Sequence, residues 1–265
     1  MENDIIYQSI NGICDKNIGI FNRSFSFGDG LFETCKVING EIQYLNYHLQ
    51  RIEKGANTLL LNLDLSELNI EIVKALNSIK NTSKDYICKI TISRGESVRG
   101  YGFGKNIPTI TTIFIQNTQF ITNYHRSLNI CNSGYCNNPK LAGIKHQNRL
   151  EQILAKNTGD DCIMLDENNN IISTTYANIF MIKDSIISTP NLKNCGIEGT
   201  RRAVILDNFE VNIATISAEK LLNADGAFIT NSLIGLQNID KIINTTLNNI
   251  TSKNIIKDIK ELLKL

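Results

Sequence analysis

The segment from Asn138 to Gln152 contains the residue with the most distinctive chemistry, Lys145. This lysine directly follows the apolar run Leu-Ala-Gly-Ile and precedes a predicted helix start. Removing an ammonium group from water is costly, so a lysine packed against apolar residues tends to lose its proton. A neutral lysine is a nucleophile that can condense with a carbonyl group. The alternative is an ordinary surface lysine whose aliphatic stem covers a short strand.

Three other segments carry arginines or glycines that suit a binding site, although each also has an ordinary explanation. Arg51 lies on a predicted helix, where most arginines are solvated. The glycine-rich segment from Ser93 to Gly104 contains Arg94 and Arg99 and is also typical of a mobile surface loop. The glycine-containing turn Cys195–Arg202 leads into an amphipathic helix. Such a turn exposes backbone N–H groups that can hold a phosphate, although many helices begin this way.

The composition is that of a soluble globular protein. The 265 residues are enough for one large domain or two of ordinary size, with 42% hydrophobic and 20% charged residues. A net charge of +1 gives no reason to expect a nucleic acid or an anionic membrane as partner. We expect neither a signal peptide nor a membrane-spanning helix, and therefore a cytoplasmic location. The seven cysteines are irregularly spaced and are predicted to be reduced, and the three histidines are too scattered to predict a metal site.

The first half of the chain predicts a mixed α/β domain. Two Asn-Gly pairs supply the positive φ angles of tight hairpins, and apolar residues then recur at helical spacing. The predicted elements are hairpins at Ile5–Cys14 and Leu31–Leu45, a helix through Tyr47–Leu60 capped by Asn46, a helix at Ser66–Ile79, and strands at Tyr86–Ser93 and Pro108–Gln116. A polar stretch without periodicity then predicts an interdomain linker at 117–126.

The second half predicts a larger domain at 127–265, which would carry Lys145. Its predicted elements are strands at Ser127–Cys131, Cys162–Leu165, Val211–Ile216 and Ala227–Thr230, a helix at Gln147–Asn157, a helix after Arg202, a short helix at Ala218–Asn223 and a closing helix through Ile255–Leu263. Thr251 or Ser252 is suited to cap the closing helix. The smaller N-terminal α/β domain is predicted at 1–116.

The segment Leu-Ala-Gly-Ile-Lys-His-x-Asn-Arg-Leu-Glu-Gln around Lys145 resembles the lysine segment of aminodeoxychorismate lyases. These enzymes belong to the class IV aminotransferase family of fold-type IV enzymes, which use pyridoxal 5'-phosphate (PLP). Other branches of the family carry different residues after the lysine. The run Gly28-Asp-Gly-Leu-Phe-Glu33 resembles a second family signature. The resemblance implies that Lys145 binds PLP as a Schiff base.

The same resemblance implies roles for further residues. His48-x-x-Arg51 matches the motif whose arginine grips the cofactor phosphate, a role that suits a planar guanidinium. The glycine-rich loop resembles the loop whose basic residues are candidates to meet substrate carboxylates. The implied substrate-binding residues are Arg99 and, less directly, Arg94 and Tyr101. The implied phosphate contacts are the backbone amides of Thr200 and Arg201, together with Ser232.

One position departs from the family pattern. The stretch from Ser173 to Phe180 aligns with Glu-x-x-x-x-Asn-x-Phe, so that Asn178 and Phe180 match and Ser173 replaces the glutamate. In the family this glutamate pairs with the pyridine nitrogen of PLP and keeps it protonated, which makes the ring a strong electron sink. A serine hydroxyl offers only a neutral hydrogen bond. The pyridine nitrogen is therefore predicted to be unprotonated unless another residue compensates.

Together the motifs imply a two-domain α/β (α+β) fold of fold-type IV, similar to D-amino-acid aminotransferase, with PLP in the cleft between domains of a homodimer. The implied reaction converts 4-amino-4-deoxychorismate to 4-aminobenzoate and pyruvate, a step toward folate. Lys145 would act as the general base at substrate C4. Two alternatives stay open. One is an aminotransferase for D-amino or branched-chain amino acids, and the other is a non-catalytic PLP-binding relative, which only Ser173 supports.

Overall fold

The computed structural model describes residues 5–14, 16–104, 107–120, 127–156, 161–247 and 252–264. These residues form fifteen strands and seven helices. The chain divides into two compact units. The first consists of Met1–Phe120 with Ile144–Asn148, and the second of Ile121–Gly143 with Arg149–Leu265. None of the described helices is both long and apolar enough to span a bilayer.

The first unit is built on a five-stranded antiparallel sheet. Its elements are β1 (Ile5–Ile10), α1 (Arg23–Phe27), β2 (Gly30–Ile38), β3 (Glu41–Ile42), α2 (Leu45–Leu59), α3 (Leu65–Leu76), β4 (Asp85–Ser93) and β5 (Ile110–Thr118). The strand order is β1-β5-β4-β2-β3. In β2 every second side chain is buried, as the two-residue period of a strand requires. Cys35 of β2 lies opposite Cys88 of β4, and Ile52 of α2 and Ile72 of α3 are also buried.

Local sequence signals explain most of these elements. Both predicted Asn-Gly turns form. The first closes only a single bridge between Ile10 and Ile13, whereas the second joins β2 to β3, and Asn39 and Gly40 adopt the positive φ angles of 53° and 81° that such a turn requires. Helix α3 begins after Asp64, whose carboxylate accepts from the backbone N–H groups of Ser66 and Glu67. Helix α2 already begins at Leu45, so Asn46 lies inside the helix and the prediction that it caps the helix is wrong.

The segment Ile144–Asn148 joins the first unit through backbone hydrogen bonds to β2. Phe32 donates to the Lys145 carbonyl at 3.0 Å, and Gln147 donates to the Gly30 carbonyl at 2.9 Å. This position differs from the C-terminal domain predicted for Lys145, because pairing with a strand over a hundred residues away leaves no local signal. Of the predicted linker, 117–118 belong to β5 and 121–126 lie outside the described residues.

The second unit contains a ten-stranded mixed sheet. Its elements are β6 (Ser127–Ile130), α4 (Leu150–Lys156), β7 (Cys162–Leu165), β8 (Ile171–Thr174), β9 (Asn178–Lys183), β10 (Ile186–Pro190), α5 (Thr200–Asn208), β11 (Val211–Ala214), α6 (Ala218–Leu222), β12 (Gly226–Asn231), β13 (Gly235–Asn238), β14 (Lys241–Ile242), β15 (Thr245–Thr246) and α7 (Lys253–Leu262). The main strand order is β11-β10-β9-β8-β7-β6-β14-β15, with β12 on β9 and β13 on β12.

Strand β9 lies at the centre of this sheet, and its first five residues are buried. A strand covered on both faces is continuously apolar rather than alternating. Phe180 of β9 and Phe228 of β12 are fully buried and stack with ring centroids 4.8 Å apart. The centre of the sheet therefore gives a rigid base to the turns at its ends.

Two predictions for the second unit are wrong. The helix predicted from Gln147 begins only at Leu150, because Gln147 pairs with β2 of the first unit. Cys131 and Cys162 form a disulfide with their Cα atoms 5.2 Å apart, so not all seven cysteines are reduced. They meet because β6 and β7 are parallel neighbours, a pairing that cysteine spacing does not reveal.

Candidate active site

Lys145 is held beside β2 in the first unit. Its carbonyl accepts the Phe32 backbone N–H, and its Nζ atom lies 4.4 Å from the centroid of the Phe32 ring. An ammonium over an aromatic face is attracted by the ring quadrupole, and the ring also excludes water from one side of the amine. The side chain is half-buried. Lys145 is thus positioned on a strand edge and not on a free loop.

Arg51 belongs to a buried charge cluster on α2 and β2. Its Nε and Nη2 atoms donate to the Glu33 carboxylate at 2.7 and 2.6 Å, and His48 Nδ1 lies 2.7 Å from the same carboxylate. Burial raises the pKa of Glu33, but the charges and hydrogen bonds of Arg51 and His48 outweigh it, so the net pKa is well below its usual range. The fork of Arg51 is therefore fixed in one orientation by Glu33, a role that the sequence analysis missed.

Lys145 and Arg51 lie near the same part of β2. Burial raises the pKa of the Cys35 thiol well above its usual value, although the charges of Arg51 and Lys145 oppose this shift. Both cations therefore act on one buried side chain of β2. The structure brings together the predicted Schiff-base lysine and one predicted phosphate ligand within the first unit.

Glu33, Cys35 and His48 also form the one group of possible metal ligands among the described residues. Their ligand atoms all lie within 4.8 Å of one another. However, Glu33 already accepts hydrogen bonds from Arg51 and lies against His48, and the raised pKa keeps the Cys35 thiol protonated. The arrangement favours an ion-paired cluster over a metal site.

The arginines of the glycine-rich loop differ sharply in their surroundings. Arg94 is buried, and its guanidinium donates to the Asp29 carboxylate at 2.8 Å and to the Leu60 carbonyl at 2.9 Å. Burial raises the pKa of Asp29, but Arg94 and Arg23 lower it by more. Arg99 is exposed, as is Tyr101. The geometry favours a structural role for Arg94 and leaves Arg99 accessible to a ligand.

The turn before α5 in the second unit has the donors that a phosphate requires. Gly199 is the N-cap residue, and no side chain caps the helix. Thr200 and Arg201 are the first two helical residues and are buried, with no acidic residue in the first turn. Arg201 places a positive charge at the positive end of the α5 dipole, which is unfavourable by itself. An anion bound at this end of the helix would therefore be strongly stabilised.

Asn178 supports this turn through a side-chain hydrogen bond. Its Nδ2 atom donates to the Ile197 carbonyl at 2.9 Å. A Cβ atom on Gly199 would overlap Asn178 Oδ1, so only glycine allows this close approach. Ser232 lies in a second turn, where Asn231 Oδ1 accepts from the backbone N–H groups of Leu233 and Ile234 at 2.8 Å each.

Ser173 is buried at the end of β8, and its hydroxyl is engaged by protein groups. It donates to the Thr174 carbonyl at 2.7 Å and lies 2.9 Å from the Tyr135 hydroxyl. Because the single hydroxyl hydrogen of Ser173 is used for Thr174, Tyr135 must be the donor in the second bond. Burial raises the pKa of Tyr135, which keeps the phenol neutral. One lone pair of Ser173 therefore remains for a ligand.

We expect Tyr135 and Ser173 to stabilise the fold cooperatively. Tyr135→Phe and Ser173→Ala should each lower the free energy of unfolding by about 1 to 2 kcal/mol, since each leaves a buried partner unsatisfied. The double variant should lose about 1 kcal/mol less than the sum of the two. Urea unfolding of the four proteins measures this coupling. A strictly additive double variant would show that the two hydroxyl groups do not interact.

The chain matches the class IV amino-transferase family over residues 30–242. It therefore belongs to the class IV aminotransferase family, and the resemblance inferred from its motifs is confirmed. It is 32% identical to aminodeoxychorismate lyase of Vibrio harveyi over 250 residues, which cover 88% of this chain and 90% of the relative. It is 25% identical to a putative branched-chain-amino-acid aminotransferase of Methanocaldococcus jannaschii, over 94% of this chain and 91% of that protein.

The fold is similar to that of solved members of the family. The crystal structure of 4-amino-4-deoxychorismate lyase from Pseudomonas aeruginosa superposes with a TM-score of 0.86 at 25% sequence identity, covering 96% of this chain and 98% of that one. The prediction of a mixed α/β, fold-type IV architecture is confirmed. Members of this family are PLP-dependent enzymes. Within the first unit, the amine of Lys145 suits the aldehyde of PLP. Within the second unit, the turn at Thr200 and Arg201 suits a phosphate group.

Proposed function

We propose that this protein is a PLP-dependent lyase that converts 4-amino-4-deoxychorismate to 4-aminobenzoate and pyruvate, a step toward folate. The observation that carries the proposal is the similarity to the Vibrio harveyi lyase, 32% identity over 88% of the chain. The position of Lys145 beside β2 supports it, because an amine held in a defined place is what a general base and a carbonyl nucleophile both require.

Several residues are proposed to hold PLP. Lys145 would bind it covalently, and Arg51, the amides of Thr200 and Arg201, and Ser232 would hold its phosphate. Asn178 would act indirectly, since it supports the turn that presents those amides. When bound, PLP supplies an electron sink for negative charge that develops next to the substrate amine.

Lys145 is proposed to act a second time as the general base. Its amine would remove the proton from C4 of the substrate, the ether C–O bond between the ring and the enolpyruvyl group would break, and the enolpyruvate that leaves would take up a proton to become pyruvate. The remaining ring becomes aromatic, which makes this elimination strongly favourable. A correctly positioned general base that transfers one proton increases a rate by about 10²- to 10⁴-fold.

The surroundings of Ser173 are consistent with a lyase. Its hydroxyl hydrogen is committed to the Thr174 carbonyl, so toward a ligand Ser173 can only accept a hydrogen bond. If Ser173 lies next to the pyridine nitrogen, PLP would be a weaker electron sink than it is with a carboxylate in that place. A reaction driven by aromatisation tolerates a weaker sink better than transamination does, and this is the reason that Ser173 favours the lyase.

Arg99 is proposed to bind the substrate carboxylates, with Tyr101 beside it. Arg99→Gln should raise KM by about tenfold to one hundredfold and change kcat by less than about threefold, because it removes a charged hydrogen bond from substrate binding. Initial rates over a range of substrate concentrations test this. Lys80→Gln, which removes another exposed cation of the first unit, is the control and should leave both constants unchanged. Equal KM values for Arg99→Gln and wild type would contradict the role.

The decisive experiment is the assay of the purified, PLP-loaded protein with 4-amino-4-deoxychorismate. The lyase predicts 4-aminobenzoate and pyruvate in equal amounts. The similarity to the Methanocaldococcus jannaschii protein favours an aminotransferase as second candidate. That enzyme would instead convert its PLP to the amine form with D-alanine or leucine and release no 4-aminobenzoate. A protein that binds PLP but does neither would be a non-catalytic relative.

The proposal includes a homodimer in the cytoplasm. Helix α4 supports the dimer, since Leu150, Ile153 and Leu154 lie on one of its faces and each is at least 60% exposed. Ile153→Glu should convert the dimer to a monomer, as measured by light scattering after gel filtration. Ile186→Glu, at an equally exposed isoleucine of β10, is the matched control and should leave the dimer intact. A monomeric wild-type protein would overturn this part of the proposal.

A further inference from the structure

Arg23 is a buried arginine at the start of α1 that holds the glycine-rich loop by its side chain. Its exposed fraction is only 3%. Its Nη1 atom donates to Ser97 Oγ at 2.7 Å and to the Gly100 carbonyl at 3.1 Å, and its Nη2 atom donates to the Tyr101 carbonyl at 3.0 Å. Its Nε atom donates to the Asp29 carboxylate at 2.8 Å. Its Nη1 atom also lies 3.5 Å from the Gly102 carbonyl, so one guanidinium binds four positions on the loop.

Other contacts hold the two ends of the same loop. The Arg23 backbone N–H donates to the Gly95 carbonyl at 2.8 Å, and the Ser97 N–H donates to the Phe21 carbonyl at 3.1 Å. Toward the far end, the guanidinium of Arg94 stacks on the Phe103 ring at 3.6 Å. Between Ser97 and Phe103 the backbone is held by the Arg23 hydrogen bonds, and the Tyr101 ring lies 5.5 Å from the Phe27 ring.

Arg94 and Arg23 are linked through Asp29. The Asp29 Oδ2 atom accepts from Nε of both arginines at 2.8 Å. The pKa of Asp29 is lowered by these two guanidinium groups against the effect of burial, so the carboxylate stays charged across the neutral range. The shared carboxylate fixes the planes of both guanidinium groups, and therefore also the direction of the donors that Arg23 presents to the loop.

Three side chains in the middle of this loop are exposed to solvent. Val98 is 81% exposed and Tyr101 is 84% exposed, and Arg99 between them is exposed as well. Within the described part of the chain, Arg99 forms no hydrogen bond or ion pair of its own. The position of Arg99 therefore follows that of its backbone, to which Arg23 donates hydrogen bonds on both sides, at Ser97 and at Gly100 and Tyr101. A loop that is ordered before binding avoids the entropic cost of ordering it during binding.

We propose that Arg23 is a positioning residue that orders the backbone around Arg99 in advance, so that this arginine is presented to an anionic substrate group. The inference rests on the proposed function of Arg99 for its effect on KM. Its structural half, the ordering of residues 97–102, is independent of any substrate. Arg23 itself is buried and contacts no substrate. Its effect is exerted through the Gly100 and Tyr101 carbonyls.

Trypsin cleavage after Arg99 tests the structural half directly, since a protease cuts a segment only when its backbone is free to unfold locally. Under native conditions, Arg23→Gln should increase the rate of cleavage between Arg99 and Gly100 by about tenfold, measured by mass spectrometry. Arg202→Gln removes another buried guanidinium, which donates to the Pro190 carbonyl, and should leave this rate unchanged. An unchanged rate in a folded Arg23→Gln protein would overturn the inference.

Kinetics of the PLP-loaded enzyme test the functional half. Arg23→Gln should raise KM by about tenfold with kcat within about threefold of wild type. Arg23→Lys, which retains the charge opposite Asp29, should restore part of the KM. Ser97→Ala removes one loop contact and should give a smaller rise, which keeps the test open if Arg23→Gln does not fold. A fall in kcat with normal KM would overturn the positioning role.

The experiments can contradict the ordering of residues 97–102 and the effect on KM independently of each other. If Arg99→Gln leaves KM unchanged, the proposed function of Arg99 fails, and the trypsin result alone then decides whether Arg23 orders the loop. If Arg99→Gln raises KM but Arg23→Gln changes neither KM nor cleavage, the substrate role stands and the positioning role of Arg23 is wrong.

Discussion

Lys145→Ala should lower 4-aminobenzoate formation by at least about 10⁴-fold, the largest effect expected from any single change in this chain. One side chain would lose two roles, the covalent attachment of PLP and the proton transfer at substrate C4. The amine lies over the Phe32 ring and its backbone is paired with β2, so the lysine has a defined position that the variant loses. Methylamine added to the variant should restore part of the proton-transfer rate.

The covalent role has a readout that does not depend on turnover. Borohydride reduction of the PLP-loaded wild-type protein should attach the cofactor permanently to the peptide that contains Lys145, as seen by mass spectrometry. Lys140→Ala removes an exposed lysine five residues earlier and is the control, which should keep both the attachment and the activity. Attachment at another lysine, or full activity of Lys145→Ala, would contradict the assignment.

The parts of the fold that could be predicted are those with a local signal. The Asn-Gly turns, the alternating strands β2, β4 and β5 and the helical period of α3 depend on neighbours in sequence, and their predictions agree with the structure within a few residues. The lysine segment behaves differently. Its partner strand lies over a hundred residues earlier, so sequence reasoning extended α4 toward Lys145 and assigned the lysine to the later domain.

The residues of the candidate site show the same contrast between local signals and partners that are distant in sequence. Residue types marked Lys145, Arg51 and the turn at Gly199 as candidates, because amines, guanidinium groups and free amides have recognisable chemistry. The residues that orient them were missed, since Glu33, Arg23 and Tyr135 act through partners that are distant in sequence. The signal that could have identified Glu33 is its place at the end of the Gly28–Glu33 run, at a core-facing position of an alternating strand.

Glu33→Gln should strongly destabilise the protein. Glu33 is 1% exposed and accepts from Arg51 at 2.6 and 2.7 Å, and His48 lies 2.7 Å away. Breaking a buried ion pair by neutralising one partner leaves the other charge uncompensated, at a cost of about 3 to 5 kcal/mol. For a chain of this size, that loss lowers Tm by about 6 to 20 °C. Glu41→Gln, at an exposed glutamate of β3, should change Tm by about a degree or two.

The pH dependence gives this prediction a second, sharper test. The pKa of Glu33 in the folded protein lies well below the ordinary value of 4.5, because Arg51 and His48 stabilise the charged form. The carboxylate therefore contributes its full stabilisation above pH 4.5 and loses it as the pH falls toward the lowered folded-state value. The gap in Tm between wild type and Glu33→Gln should be constant from pH 8 to about pH 5 and narrow in more acidic solution. A gap that instead widens on acidification would mean that Arg51 and His48 do not stabilise the Glu33 carboxylate in the folded state.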